Sequence, residues 1–343
     1  MRRSTTNALL ALLILALTMG CAFAAKPKPK KPKSSTHHET VGTQQLKGEY
    51  GKIGDTYTLG KTHPWNICLK SAEYTIDPVC FGDRTVWPTE DEKLLLLHFT
   101  VHNPQKSLAL MRHDMINITA IDSNDKNWNK ENCLASEEKH QEVAQDFKPA
   151  QKMDVYAVVR VPNAGEIPKL MLTNFFDKDS VIRYDLRGKV KGLPTAYADP
   201  SDSSGATVPS VIQAKMGEYY PSGVFALKLE GISYTTDPID DNKPGKGQYM
   251  IATMSVKALA YSKPLLRHDM FEFKVLDSDG SDIKYSFILL KASSDSRIAQ
   301  ELDFGQEVRC RFIFKADKGV TAKTLKFAAR CQGKGKSYLY TAE

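Results

Sequence analysis

At 343 residues, with 41% hydrophobic and 25% charged side chains, the chain has enough apolar content for packed cores, which excludes a disordered or collagen-like polymer. Its formal charge of +7 is local: Arg2, Arg3 and the five lysines between residues 26 and 33 account for all of it. From Ser34 onward the chain is close to neutral, which argues against a folded nucleic-acid-binding surface.

The N-terminus is Met1-Arg2-Arg3, an apolar run from Ala8 to Met19, then Ala22-Phe23-Ala24. That is the basic region, short apolar core and small-x-small step of a secretory signal, expected over residues 1–24. The run falls short of the ~20 residues that span a bilayer. No later segment is long and apolar enough, so no transmembrane helix is expected. Thr18-Met19-Gly20-Cys21 resembles a bacterial lipobox, with Thr18 where Leu is preferred. Lipid attachment at Cys21 is the alternative to simple cleavage after Ala24. Either way the mature chain is expected outside the cytoplasm: secreted, periplasmic or held in the cell envelope.

Residues 25–43 follow as a Lys/Pro-rich tether. Lys26, Lys28, Lys30, Lys31 and Lys33 alternate with prolines. Proline favours extended polyproline II geometry, and the lysines repel one another, so no core forms. The tether reads either as a solvated spacer or as an electrostatic attachment to a polyanion: anionic lipid, wall polymer or nucleic acid.

The rest of the chain repeats itself. Arg112-His113-Asp114-Met115 recurs as Arg267-His268-Asp269-Met270. Ser107 to Asp122 matches Ser262 to Asp277 at an offset of 155, which still holds between Val143 and Ile298. Tyr74 to Pro78 recurs as Tyr234 to Pro238 at an offset of 160, and Gly48-Glu49-Tyr50 recurs as Gly217-Glu218-Tyr219. Two domains are expected, at 44–190 and 212–343. The Pro/Ser/Gly/Asp-rich stretch within 191–211 is expected to be a linker open to proteases.

Period-two patterns mark strands. Leu95, Leu97, Phe99 and Val101 share one face, as do Met250, Ala252, Met254 and Val256. Met153, Val155, Ala157 and Val159 correspond to Val308, Cys310, Phe312 and Phe314, and Leu170, Leu172 and Phe176 to Leu325, Phe327 and Cys331. Short strands punctuated by Asp, Asn, Gly and Pro turns predict an all-β chain of two antiparallel sandwiches. Single helical turns are expected near residues 137–145 and 296–301.

Each copy resembles the immunoglobulin-like domain of small secreted bacterial proteins, the fold of the mycobacterial immunoprotective antigen. The residues that carry the resemblance are the strand from Leu95 to Asn103, the strand from Met115 to Asp122, and Pro149-Ala150-Gln151 before Met153. The second copy has Met250 to Lys257, Met270 to Asp277 and Phe304-Gly305-Gln306, without the strand-end Asn. The resemblance implies an exported sandwich and no general catalytic activity.

The polar motifs read as structure. Neighbours on an extended chain point to opposite faces, so the His and Asp of Arg-His-Asp-Met do not converge; the Asp braces a turn. His98 and His102 are roughly 13 Å apart along a strand, too far to share one metal ion, and are expected to be solvated. Asp277-Ser278-Asp279-Gly280-Ser281-Asp282 suggests a calcium loop but lacks the distal bidentate Glu, so a hairpin turn is expected. No catalytic residues, cofactor site or metal site emerge.

The cysteines after the signal are 68, 80, 133, 310 and 331. Cys310 and Cys331 both follow inward parity. If their strands form a hairpin that pairs Phe314 with Phe327, the two cysteines face each other within disulfide reach. A Cys310–Cys331 disulfide is therefore expected; two buried free thiols are the alternative. The pairing of Cys68, Cys80 and Cys133 stays open.

The expected role is non-enzymatic: binding, adhesion or assembly with an envelope protein or polymer, without specific nucleic-acid binding. A structural envelope spacer and a hydrolase with a site dispersed over loops are the alternatives.

Overall fold

The computed structural model describes residues 50–131, 134–331 and 333–342. The signal region, Cys21, tether residues Lys26, Lys28, Lys30, Lys31 and Lys33, and Cys133 lie outside the described residues.

The described chain is all-β, with sheets that are antiparallel throughout except for one pairing, Ile212–Ala214 beside Tyr338–Thr341. The one helical element among the described residues is a 3-10 turn at His268–Met270. The helical turns expected near 137–145 and 296–301 are instead turns leading into the short strands Ala144–Phe147 and Ala299–Glu301. These two strands pair with Ala109–Arg112 and Leu265–Arg267, so sheet pairing overrides local preference.

Strand Glu92–His102 lies between Trp65–Thr75 and Lys152–Pro162. Facing it, Lys169–Asn174 lies between Ile116–Ile121 and Val181–Asp185. In the second half Gln248–Ala258 lies between Phe225–Thr235 and Glu307–Ala316, and Ala322–Ala329 between Phe271–Asp277 and Tyr338–Thr341. The registers correspond: Val155 opposes Phe99 as Cys310 opposes Met254, and Leu172 opposes Ile118 as Phe327 opposes Phe273. Alternation places the large apolar side chains between the layers, where Phe99, Leu172, Phe312 and Phe327 are at most 2% exposed.

Besides the Val79–Phe81/Arg84–Val86 hairpin of the first half, the halves differ in the path of one long strand. Asp282–Lys291 pairs first with Phe271–Asp277 and then with Glu307–Ala316, joining both layers into a nine-stranded sheet. The crossing point is a bulge between Tyr285 and Ile288, where Phe287 takes a left-handed φ of 55°. A bulge bends the strand so that one chain serves two sheets. In the first half the corresponding path is broken into Asn127–Asn129 and Ala135–Ser136.

The stretch from Gly192 to Gly205, expected as an open linker, is a folded loop. Leu193 N–H donates to Gly205 O at 2.9 Å and Asp199 N–H to Thr207 O at 2.8 Å. The Asp202 carboxylate accepts the N–H groups of Ser204 (2.9 Å) and Thr207 (2.8 Å). Ala206 and Val208 are buried in an apolar core that continues from one half to the other.

Two buried lysines close this junction. Lys93 is fully buried and its ammonium donates to the carbonyls of Asn163 (3.2 Å), Gly165 (2.6 Å) and Ala206. Three acceptors match the three hydrogens of an ammonium. Lys336 is 3% exposed and donates to Glu90 O at 3.0 Å and Asn163 Oδ1 at 2.5 Å. Lys334 pairs with Glu90 at 2.9 Å beside it. Burial lowers Lys336 to about 7 and Lys93 to about 8.

Both values lie below the ~10.4 of an unfolded lysine. Above pH 7 the folded chain therefore sheds a proton that the unfolded chain keeps, and stability rises with pH by up to about 1.4 kcal/mol per unit per proton. Below pH 7 both states hold the proton and this contribution is flat. Urea unfolding from pH 6 to 9.5 should show the rise above pH 7, reduced in Lys336→Gln. A flat wild-type profile, or the same slope in the variant, would contradict the buried-lysine junction.

The Cys310–Cys331 disulfide is corrected. The expected hairpin is absent: Phe314 opposes Met250 and Tyr285, whereas Phe327 opposes Phe273 and Tyr338. The two strands belong to opposite layers, so inward residues meet across the ~10 Å between packed sheets rather than edge to edge. Inward parity was right for both positions, and the pairing inferred from it was not. Both are buried free thiols, and Cys68 and Cys80 are free as well. Burial pushes the thiols of Cys310 and Cys331 up. Neither should be alkylated in the native protein, and both should be after unfolding without reductant. A 310–331 disulfide peptide from the native protein would contradict this packing.

Candidate functional site

The repeated Arg-His-Asp-Met motif forms a local fork. Arg112 Nε donates to Asp114 Oδ1 at 3.1 Å and Arg267 Nε to Asp269 Oδ1 at 2.5 Å. The guanidinium holds each carboxyl below its ordinary value. The acidic runs are turns: Asp277 Oδ1 accepts from Asp279 N (2.9 Å) and Ser281 N (2.8 Å), and Asp122 Oδ1 accepts from Asn124 N (2.8 Å) and Lys126 N (3.0 Å). These carboxylates are used by their own loops.

The histidines depart from expectation. His102 is 8% exposed, lies opposite Asn66 and Lys152 on the flanking strands, and has Nδ1 3.2 Å from the Asn66 amide nitrogen. Burial, reinforced by Lys152, lowers its pKa. His98 has Nδ1 2.6 Å from Glu137 and Nε2 3.7 Å from Glu73. A carboxylate faces each ring nitrogen, so the imidazole is braced between two strands and a loop. Face parity placed both histidines outward correctly, but said nothing of what flanks them there.

His98 opens onto a cleft of about 510 Å³ between the two halves. The first half supplies the Thr75–Cys80 turn, His98, Glu137 and Tyr156; the second supplies Leu259, Tyr261 and Phe304. Backbone geometry fixes the turn: Asp77 N–H donates to Thr75 Oγ1 at 3.0 Å, Tyr156 O–H donates to Cys80 O, and the Cys80 thiol lies 3.5 Å from Leu259 O.

The far wall is aromatic. Tyr261 and Phe304 stack with centroids 4.2 Å apart and planes at 15°, yet remain 44% and 48% exposed. Phe304 is presented by a left-handed residue, Gly305 at φ 78°; the first copy uses Ala150 at φ 62° at the same step. Glu73, Asp77 and Glu137 bring three carboxylates to the lining, which includes no Lys or Arg. Lys191 pairs with Glu73 from outside the lining, at 2.9 Å. Asp77 lines the cleft as an exposed residue whose carboxylate has no hydrogen-bond or ion-pair partner among the described residues.

None of these cleft residues was singled out as a site from sequence. The signal was available in the comparison of the copies: Tyr261 corresponds to Lys106, and Phe304 to Pro149.

No protein-family model and no curated protein matches the chain. Among solved structures, an uncharacterized β-sandwich protein from Clostridium difficile is 15% identical, covering 42% of this chain and 99% of that one, with a TM-score of 0.30. The yjhA protein from Bacillus subtilis is 14% identical over 38% of this chain and 99% of that one, with a TM-score of 0.27. A "putative lipoprotein", ycdA of Bacillus subtilis, is 10% identical over 39% of this chain and 38% of that one, with a TM-score of 0.27. No helix among the described residues is long and apolar enough to cross a membrane.

Proposed function

We propose that this is a secreted or cell-envelope binding protein, built from two immunoglobulin-like sandwich domains at 44–190 and 212–343, that holds its ligand in the cleft between them. The matching registers at an offset of 155 support the duplication. The basic signal, tether lysines and small-x-small step support export.

The observation that carries the binding role is the Tyr261–Phe304 stack. Two adjacent rings left half in water cost apolar hydration, and flat amphipathic rings beside convergent polar groups are what binding sites use. The spacer alternative draws on the junction, where Lys93 and Lys336 would hold the halves in one arrangement.

Isothermal titration with envelope polymers and peptides tests the proposal. Wild type should bind at least one of them, and Tyr261→Ala/Phe304→Ala should bind it at least tenfold more weakly. Equal binding by the double variant, or none by wild type, would remove the cleft as the site. Hydrolase-directed activity probes should leave the protein unlabelled.

A further inference from the structure

We infer that the cleft takes an extended cationic peptide in which prolines alternate with lysines. This rests on the binding reading above and adds the chemistry of the ligand. The lining holds Glu73, Asp77 and Glu137 and no Lys or Arg. Glu73 and Glu137 are already engaged by His98, and Glu73 also by Lys191. Asp77 has no hydrogen-bond or ion-pair partner among the described residues, so it is the carboxylate that a ligand cation would meet first.

The opposite wall suits the other half of such a ligand. A polyproline II helix has three residues per turn, needs no internal hydrogen bonds and lays its rings on aromatic faces. Tyr261 and Phe304 present those faces. Aromatic faces also attract a neighbouring ammonium. A peptide crossing from Asp77 to the Tyr261–Phe304 stack would thus place lysines on the acidic side and prolines on the aromatic side. Residues 25–33 of this chain have the same chemistry, five lysines interleaved with three prolines, and supply the probe.

The test uses a fluorescent synthetic peptide of residues 25–33 and measures anisotropy with the full chain. The chain carries Lys26→Ser, Lys28→Ser, Lys30→Ser, Lys31→Ser and Lys33→Ser, so that its own segment does not compete. The peptide should bind, and binding should weaken as salt rises. Asp77→Asn and Phe304→Ala should each weaken it about tenfold, the scale of one charge-assisted contact or one ring. A peptide with serines in place of lysines should not bind. Thermal melting separates site from scaffold: the Asp77 side chain is exposed and has no hydrogen-bond or ion-pair partner among the described residues, so the Tm of Asp77→Asn should hold while binding falls. Undiminished binding by Asp77→Asn, or by the serine peptide, would overturn the inference. If a neutral wall oligosaccharide binds in a Phe304-dependent way and the peptide does not, the inference fails and the binding reading stands. If nothing binds in a Phe304-dependent way, both fail.

Discussion

Lys93→Ala should destabilise the protein by about 2–4 kcal/mol, the scale of two buried carbonyls left without a donor. The substitution withdraws the donor from Gly165 O and Ala206 O and leaves Asn163 O to Val208 N–H alone. Each buried carbonyl left unpaired costs about 1–3 kcal/mol. The ammonium also lies 4.5 Å from the centre of the Tyr74 ring, and its attraction to the ring face disappears with the side chain. Against a typical total of about 5–15 kcal/mol, this is a large fraction. Urea unfolding should show the midpoint fall. A change below about 1 kcal/mol, the size of a single ordinary hydrogen bond, would mean that the lysine is not the junction's closing group.

Asn103→Ala should cost about 2–4 kcal/mol, from four side-chain hydrogen bonds lost at a fully buried site. The Asn103 amide donates to Ser107 O at 2.9 Å, Phe147 O at 3.0 Å and Lys148 O at 3.2 Å, and its carbonyl accepts from Gln105 N at 2.9 Å. The side chain pins two loops to the end of a central strand. The second half has Ala258 at this position and keeps only the backbone bonds, Ala258 N to Gln306 O at 3.0 Å and Gly305 N to Ala258 O at 2.9 Å. Thermal melting should fall by several degrees, at about 2–4 °C per kcal/mol for a body of this size. An unchanged melting temperature would show that the backbone bonds alone suffice in the first half too.

Much of the fold was legible. Parity assigned the inward faces of the central strands. What parity does not carry is which sheet a strand joins. Cys310 and Cys331 were read correctly as inward and incorrectly as neighbours, because an arch between layers and a hairpin within one layer have the same alternation. The segment from Gly192 to Gly205 is more ordered than its composition suggests, because its polar residues satisfy one another: Asp202 accepts from Ser204 and Thr207.

The cleft was the least legible part. Its walls come from the Thr75–Cys80 turn and from Tyr261 and Phe304, and the nearest link between them, Cys80 to Leu259, spans 179 residues. Composition and spacing do not encode such a meeting. The comparison of the copies places Tyr261 and Phe304 where the first has Lys106 and Pro149, but most positions around them differ as well, so the change does not stand out. That Asp77 has no hydrogen-bond or ion-pair partner among the described residues is visible only in three dimensions.

The central claim is that the protein meets its ligand at the cleft rather than on its open sheet faces. Photo-crosslinking in cells that produce the protein tests this most directly. A photoreactive phenylalanine analogue would replace Phe304 in one strain and Phe175 in another; Phe175 is similarly exposed, at 50%, but does not line the cleft. Position 304 should give a discrete adduct that Asp77→Asn diminishes, and position 175 should give none. An adduct from 175 with none from 304 would contradict the account.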